Sequence, residues 1–175
     1  MLDLSFLDGR IVYHGSTVEI KDIDLQKARV NCDFGAAFYL TTSENQAIAW
    51  ARKQKKRQKA ESAVLNTYRI STFAGLELNS RIFEVADEGW FSFIVNNRKG
   101  KWENRSHNFH VVVGSVADDN VFSVLAAYEA GIFDFDGGHK VIIERLKVKD
   151  LEDQIALCTE CAVKRVKFLR SLIVC

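Results

Sequence analysis

The residues of this chain best suited to chemistry begin near its N-terminus with His14. It lies in the string Tyr-His-Gly-Ser at residues 13–16, at the end of a short apolar run rich in β-branched residues. A histidine at the end of a strand can orient a ligand hydroxyl, and Gly15 lets a ligand approach the backbone because it has no Cβ. The same string, taken alone, also fits a tight turn with a structural histidine.

A second group of candidate residues begins twenty positions after His14. Phe34 and Gly35 precede two small residues, an apolar residue and Tyr39, and Trp50 follows eleven positions after that tyrosine. Two aromatic faces can hold a flat cationic ring by stacking and cation–π attraction, each worth roughly 1 kcal/mol. The alternatives are that Tyr39 is a core strand residue and that Trp50 packs in the core from its helix.

The segments that position these residues alternate between strand and helix patterns. Strands are predicted at residues 10–14, 37–41, 63–70, 81–85 and 109–113, with a turn at Gly15 and Ser16 after the first. A helix is predicted from about Ser43, because Gln46 three residues later matches a capping box. Its apolar stripe continues through Ala47, Ile48 and Ala51.

The rest of the chain adds further helices and a final pair of strands. One helical stripe comprises Trp90, Phe91, Ile94 and Val95. Another covers residues 121–128, between acidic caps at 118–119 and a closing glycine at 131. Residues 140–148 fit a strand or a helix, with helix favoured, and 154–158, 160–164 and 166–169 predict strand, short helix and strand. These patterns predict an α+β fold with helices packed on a mixed sheet.

Composition limits the class of protein. A chain of 175 residues with 47% hydrophobic residues is the size of a single domain, spanning 1–175. Its 24 basic and 23 acidic side chains nearly cancel, so that no overall field selects nucleic acid or an anionic membrane. No apolar run is long enough to cross a bilayer, and the first eight residues contain no basic residue. We therefore expect a soluble, cytoplasmic protein.

We interpret the cysteines and the basic residues at 52–59 as structural features and not as binding sites. Four cysteines are too few for a disulfide framework in a chain of this size. Cys158 and Cys161 have the spacing of a zinc knuckle, but no second pair completes a site, so we expect buried packing thiols and no metal. Residues 52–59 contain six cations, which favour a solvated helix end over a phosphate-binding surface.

The two N-terminal strings, in this order and spacing, resemble the His-Tyr-Glu branch of the ADP-ribosyltransferases, the diphtheria-toxin-like and poly(ADP-ribose) polymerase-like enzymes. The resemblance is close over residues 10–50 and loose over the final third of the chain. It implies an ADP-ribosyltransferase-like split mixed β-sheet core flanked by helices. It also implies NAD as the substrate.

The resemblance assigns roles to the N-terminal candidates. His14 would hydrogen-bond the ribose attached to nicotinamide, the Gly15 backbone would bind the carboxamide, and Ser16 would support either contact. Tyr39, which follows the string that begins with Phe34 and Gly35, would stack on nicotinamide. These six residues form the larger part of the implied NAD-binding site.

Trp50 and the late acidic segment complete the implied site. Trp50 would close the aromatic sandwich around nicotinamide, and Gln154 occupies the position where the family has a catalytic glutamate. Glutamine can bind a ribose hydroxyl but adds no negative charge. Glu152 would share a strand face with Gln154 and could supply a carboxylate, whereas Asp153 would serve only if the register slips by one.

Two departures from the family pattern bear on the reaction. Ala37 replaces a family glycine, which is a mild change in size, and Gln154 replaces the glutamate. Relatives without the glutamate generally transfer a single ADP-ribose, and some have lost activity. The chain also resembles an uncharacterised bacterial family of suspected toxin components, which implies an antitoxin partner.

Three functions therefore remain open from the sequence. The first is a mono-ADP-ribosyltransferase acting on a macromolecular acceptor, either protein or nucleic acid. The second is a binding module that recognises NAD or ADP-ribose without turnover, as the missing carboxylate suggests. The third is an interaction domain that retains only the fold.

Overall fold

The computed structural model describes residues 4–75, 77–99, 107–117 and 153–174, together with the helical residues Ser123 and Ala127. Within these ranges the chain forms seven strands and three helices, besides two short 3-10 turns at Ser5–Leu7 and Leu25–Lys27. In chain order the elements are β1 (Ile11–Ser16), β2 (Phe38–Leu40), α1 (Glu44–Gln58), β3 (Val64–Ile70), β4 (Ser80–Ile82), α2 (Glu88–Lys99), β5 (Val111–Ser115), β6 (Asp153–Leu157), α3 (Glu160–Val163) and β7 (Val166–Ile173).

The strands form two sheets, one of them mixed. The three-stranded sheet has the order β1-β3-β7, with both pairs antiparallel. The four-stranded sheet has the order β2-β6-β5-β4, in which only the β4–β5 pair among the described strands is parallel. Among the described residues one bridge joins the two sheets: Tyr13 and Thr41 exchange backbone hydrogen bonds of 2.9 and 3.0 Å. The α+β class predicted from the sequence is confirmed.

The described residues form two hydrophobic cores. The first lies between the sheets, with Val12 and Tyr68 from one sheet and Leu40 and Ile155 from the other. The second lies between the four-stranded sheet and α2, and its residues include Val112, Ala156, Trp90, Phe91 and Ile94. All four residues of the predicted stripe on α2 are buried, which confirms that helix and its apolar face.

Helix α1 packs on the outer side of β1 and begins where the capping pattern predicts. Ser43 is the N-cap, and its side chain accepts a hydrogen bond from the Gln46 N–H at 3.2 Å. The Ser43 N–H also donates to Thr41 Oγ1 at 3.0 Å. The basic residues of 52–59 are exposed, which confirms a solvated helix end. The helix ends at Gln58, and its C-cap Lys59 has a left-handed conformation.

Several boundaries differ from the sequence predictions. Gly15 and Ser16 do not turn but continue β1, because they pair with Leu65 and Val64 of β3. Strand β5 begins two residues later than predicted, at Val111, and continues to Ser115. The predicted segments at 121–128, with its caps at 118–119 and 131, and at 140–148 lie outside the described residues, apart from Ser123 and Ala127.

The cysteines are only partly as expected. Cys158 is buried in the second core, but Cys161 is exposed, so the expectation that both thiols are buried is wrong for Cys161. Cys161 lies in the short helix α3, where its Sγ is 3.0 Å from Thr159 Oγ1 on the solvent side. Among the helices that the structure describes, none combines the length and the apolar character that crossing a bilayer requires.

Close packing of α1 on β1 predicts the effect of substituting Gly15. A Cβ at this position would lie 2.0 Å from the Ala47 carbonyl oxygen and 2.8 Å from the Ala51 nitrogen, both backbone atoms of α1. We expect Gly15→Ala to lower the free energy of unfolding by about 1–3 kcal/mol, because the helix must move away from the strand. Chemical denaturation measures this loss.

The matched control is Gly89→Ala in α2. The Cβ added there meets only the Asp87 side chain, at 3.3 Å, within the described structure. We expect this variant to be neutral or slightly more stable, because alanine favours a helix over glycine. Equal losses of stability in the two variants would contradict the packing argument for Gly15.

Candidate functional site

The candidate site lies at the seam where β1 and β2 separate. Beyond the Tyr13–Thr41 bridge, the antiparallel register would next pair Gly15 with Tyr39. No backbone hydrogen bond joins these two residues. The Tyr39 carbonyl instead accepts a hydrogen bond of 2.7 Å from Nδ1 of His14. The side chain of His14 therefore replaces the next backbone hydrogen bond between the sheets.

The separation leaves the backbone of Gly15 directed into the seam. Ile70 N–H donates to the Arg10 carbonyl on the β3 side, and Tyr13 bonds Thr41 on the opposite side. Because these directions alternate along an antiparallel strand, the Gly15 N–H and C=O point away from β3, on the side of Tyr13. Within the described chain neither group has a hydrogen-bond partner there. The seam thus offers one donor and one acceptor next to each other.

The imidazole of His14 is held in the neutral form that accepts at Nε2. A carbonyl oxygen can only accept, so Nδ1 carries the proton in the bond to Tyr39, and Nε2 keeps its lone pair. Burial lowers the pKa of His14; the bond to Tyr39 opposes this, and the nearby positive charge of Arg29 adds to it. The ring also stacks on Phe38, with centroids 4.4 Å apart.

The Tyr39 hydroxyl closes the loop that leads into β2. It donates to the Gly35 carbonyl at 2.6 Å and accepts from the Phe34 N–H at 3.0 Å. Gly35 has a φ of 81°, which glycine adopts without strain. Phe34 is buried in the second core, and its carbonyl is 2.9 Å from His107 Nε2. Phe34 and Gly35 therefore shape the loop beside Tyr39.

Burial also fixes the protonation of Tyr39. Removal of its hydroxyl from water raises the pKa of Tyr39 well above its usual range, and neighbouring acidic groups add to the shift. The residue lies on the same sheet face as Ala156, its partner in β6, and that face is the one covered by α2. Tyr39 is only partly buried overall, so part of this side chain reaches solvent.

Trp50 lies outside both hydrophobic cores and carries a cation on its face. It is half-buried on α1, and the Arg29 guanidinium carbon is 5.3 Å from its ring centroid, with Lys53 Nζ at 5.9 Å. Arg29 is exposed, and it also acts electrostatically on His14. No sequence pattern predicts Arg29 as a site residue, because it lies in an irregular segment after the turn at Leu25–Lys27.

Gln154 is buried in a polar network at the start of β6. Its Nε2 donates to Asp33 Oδ2 at 3.2 Å and to the Ser115 carbonyl at 3.3 Å. Strand alternation places it on the sheet face of Ala156, and hence of Tyr39. The side chain is 8% exposed, so that the fold holds it almost completely. Asp33, a second residue that the sequence reasoning missed, lies directly before Phe34.

Of the three remaining candidates, two make hydrogen bonds within the fold and the third lies outside the described residues. Asp153 accepts from the Thr41 hydroxyl at 2.9 Å, from the Thr42 hydroxyl at 3.0 Å and from the Thr42 N–H at 3.1 Å, which ties β6 to the start of α1. The Ser16 hydroxyl is 3.4 Å from the Val18 N–H, in its own turn. Glu152 lies outside the described residues.

Comparison with known proteins places the chain in a family without assigning a function. The chain belongs to the family described as "Protein of unknown function (DUF3990)", whose model matches residues 10–168. No curated protein and no solved structure matches the chain. The matched range contains the residues of the seam and of the Gln154 network.

The buried neutral histidine predicts a pH dependence of stability. Because the folded state lowers the pKa of His14, the unfolded chain binds its proton more readily. The contribution of His14 to the free energy of unfolding is therefore constant above pH 6.5, the ordinary pKa of histidine. Below pH 6.5 the stability falls as the pH drops toward the lower pKa that His14 has in the folded state. Denaturation between pH 5 and 8 measures the slope.

The control for this pH dependence is His14→Asn, which keeps a donor for the Tyr39 carbonyl but has no titrating group. Subtraction of its profile from that of the wild type isolates His14 from the other three histidines of the chain. We expect the difference to be flat above pH 6.5 and to slope below it. A difference that is flat over the whole range would mean that His14 is not buried as a neutral ring.

The hydroxyl of Tyr39 predicts a second stability effect. Tyr39→Phe leaves the Phe34 N–H and the Gly35 carbonyl without this partner, and we expect the free energy of unfolding to fall by about 1–3 kcal/mol. Tyr13→Phe is the matched control, because its hydroxyl is only partly buried and bonds Glu44 near the surface. Similar losses in both variants would show that the loop does not depend on the Tyr39 hydroxyl.

Proposed function

We propose that this chain is an NAD-dependent mono-ADP-ribosyltransferase with the split-sheet fold that the N-terminal strings imply. One observation carries the proposal: the seam between the sheets brings the neutral imidazole of His14 next to the open backbone groups of Gly15. Both residues were candidates on sequence grounds alone. Their arrangement supplies the polar groups that one end of NAD requires.

The carboxamide of nicotinamide fits the backbone of Gly15. A carboxamide has an NH₂ donor and a carbonyl acceptor on one planar group, and Gly15 offers a C=O and an N–H on one side of β1. In this assignment the carboxamide makes the hydrogen bonds to the Gly15 backbone that β2 does not make. Tyr39, across the seam, would then lie beside the nicotinamide ring.

The ribose next to nicotinamide would be held by His14 and Gln154. Nε2 of a neutral imidazole is an acceptor, which suits a ribose hydroxyl as the donor. Gln154 would receive the 2′-hydroxyl through its Oε1, because Nε2 is already used by Asp33 and by Ser115. Both contacts leave the ribose oriented without placing a negative charge beside it.

Trp50 and Arg29 suit the charged parts of the dinucleotide. Trp50 offers an aromatic face outside the cores, and Arg29 is an exposed cation near both Trp50 and His14. A guanidinium binds phosphate oxygens in a planar, bidentate manner, so we assign the pyrophosphate to Arg29. The cationic nicotinamide ring would displace Arg29 from Trp50 toward those phosphates by like-charge repulsion.

In the proposed reaction the bond between ribose C1′ and the nicotinamide nitrogen breaks. The bonding electrons leave with nicotinamide, which becomes neutral, and positive charge develops on the ribose ring as in glycoside cleavage. An oxygen or nitrogen of the acceptor forms the new bond to C1′ and loses its proton to solvent. Because Gln154 replaces a glutamate, we expect a single transfer to each acceptor.

The biological setting follows from the same resemblance. We propose a toxin component that acts in the cytoplasm on a protein or nucleic acid and is held inactive by an antitoxin protein. The second candidate function is an NAD or ADP-ribose-binding module without turnover. The specific observation in its favour is that Gln154 is uncharged and that its amide group is already bonded within the fold.

Labelled NAD tests the proposal directly. We expect the wild-type protein to bind NAD, to release nicotinamide and to transfer label to a component of a bacterial lysate. His14→Ala should weaken NAD binding about tenfold or more, because a hydrogen bond to an oriented ring is lost. Trp50→Ala should weaken it about fivefold and Trp50→Phe less, because phenylalanine keeps an aromatic face.

The control and the contrary outcomes separate the candidates. Phe6→Ala removes an exposed aromatic at the opposite end of β1 and should leave NAD affinity unchanged. NAD binding without nicotinamide release would exclude the transferase and favour the binding module. An unchanged affinity in His14→Ala would remove the seam as the NAD site.

A further inference from the structure

Asp33 is the centre of a nearly buried charged network that the proposed function leaves unused. Its Oδ1 pairs with Arg98 on α2, through Nε at 3.0 Å and through the adjacent Nη2. The two side chains are only 12% and 13% exposed. Its Oδ2 accepts from the Ala117 N–H and from Gln154 Nε2, both at 3.2 Å. Buried charges at this depth require such partners.

The surroundings of Gln154 dictate the orientation of its amide. The two groups that face Nε2 are the carboxylate of Asp33 and the carbonyl of Ser115, and both can only accept. The Ser115 carbonyl also accepts from Trp90 Nε1 at 3.1 Å, which holds it in place. The NH₂ end of the amide must therefore point into the network, and Oε1 must point away from it.

We propose that Asp33 is a positioning residue for Gln154: it fixes the amide so that Oε1 is presented to the ligand, and it determines that position 154 carries glutamine instead of glutamate. The inference rests on the proposed function, since the ligand contact of Oε1 is part of it. The coupling between positions 33 and 154, however, can be measured without NAD.

The electrostatic reason is the short distance between the two positions. A carboxylate at 154 would face the Asp33 carboxylate at the 3.2 Å now spanned by a hydrogen bond. Two such groups cannot both ionise, and Arg98 compensates only one of them. When residue 33 is asparagine and residue 154 is glutamate, the carboxylate has moved from one side chain to the other. The net charge is unchanged, and an amide can still donate a hydrogen bond to a carboxylate.

The test is a double-mutant cycle on stability with Gln154→Glu, Asp33→Asn and their combination, measured by denaturation without ligand. We expect each single variant to be destabilised at pH 7.5 and the combined variant to recover most of the loss. The deficit of Gln154→Glu should shrink on acidification toward about pH 4.3, where a free glutamate becomes protonated. Additive effects of the two substitutions would overturn the proposal.

Two further measurements keep the test decisive. Gln26→Glu adds the same charge at an exposed position, and its effect should be independent of Asp33→Asn. If Asp33→Asn fails to fold because Arg98 loses this carboxylate, the NMR signals of the Gln154 side chain in the wild-type protein provide the test. We expect its Nε2 protons to exchange far more slowly than those of Gln26; equal exchange rates would contradict the positioning role.

Nicotinamide release then connects the network to the reaction. At pH 7.5 we expect kcat of the combined variant to exceed that of Gln154→Glu at least tenfold, with a smaller change in KM. The pH–rate profile of the single variant should contain an additional ionisation that the combined variant lacks. Strong coupling in stability with no nicotinamide release by the wild type would support the positioning by Asp33 and overturn only the transferase.

Discussion

The hydrogen bond from His14 Nδ1 to the Tyr39 carbonyl is the interaction on which the site depends. Buried backbone carbonyls require partners, and in a continuous ladder this one would bond Gly15 and close the gap between the sheets. Because the imidazole meets the requirement instead, the sheets can diverge without a buried unsatisfied carbonyl. The same bond sets the tautomer of His14 and leaves the Gly15 backbone open.

Gly15 is fixed by two constraints that act on different atoms. Its backbone faces the seam, while the space where a side chain would begin is filled by the backbone of α1, with Ala47 O only 2.0 Å from a Cβ. The glycine is thus required by helix packing whether or not a ligand binds. The sequence interpretation of Gly15 as a turn residue was wrong because the close approach of α1, not a positive φ, demands it.

Local patterns predicted the elements, and long-range contacts decided the details of the site. The capping residue Ser43 and the stripe from Trp90 to Val95 were sufficient for α1 and α2, because caps and periodic burial act within a few turns. Arg29 and Asp33 could not be found in this way. Asp33 meets Gln154 across 121 positions of sequence, and no local spacing records that contact.

The identity of residue 154 is therefore a property of its surroundings more than of its own strand. Alignment of the apolar run of β6 with the ADP-ribosyltransferase pattern predicts Gln154 as a site residue, but it does not explain why this residue is a glutamine. The fold already holds a carboxylate at Asp33, paired with Arg98, on the inner side of that position. A neutral amide is the group that can both donate to this carboxylate and still offer an oxygen on its other side. The negative charge beside residue 154 thus lies on Asp33, one side chain further inside, where Arg98 balances it. In the proposed function, such a site would orient a ribose hydroxyl through a hydrogen bond, but it would stabilise developing positive charge less than a carboxylate in direct contact.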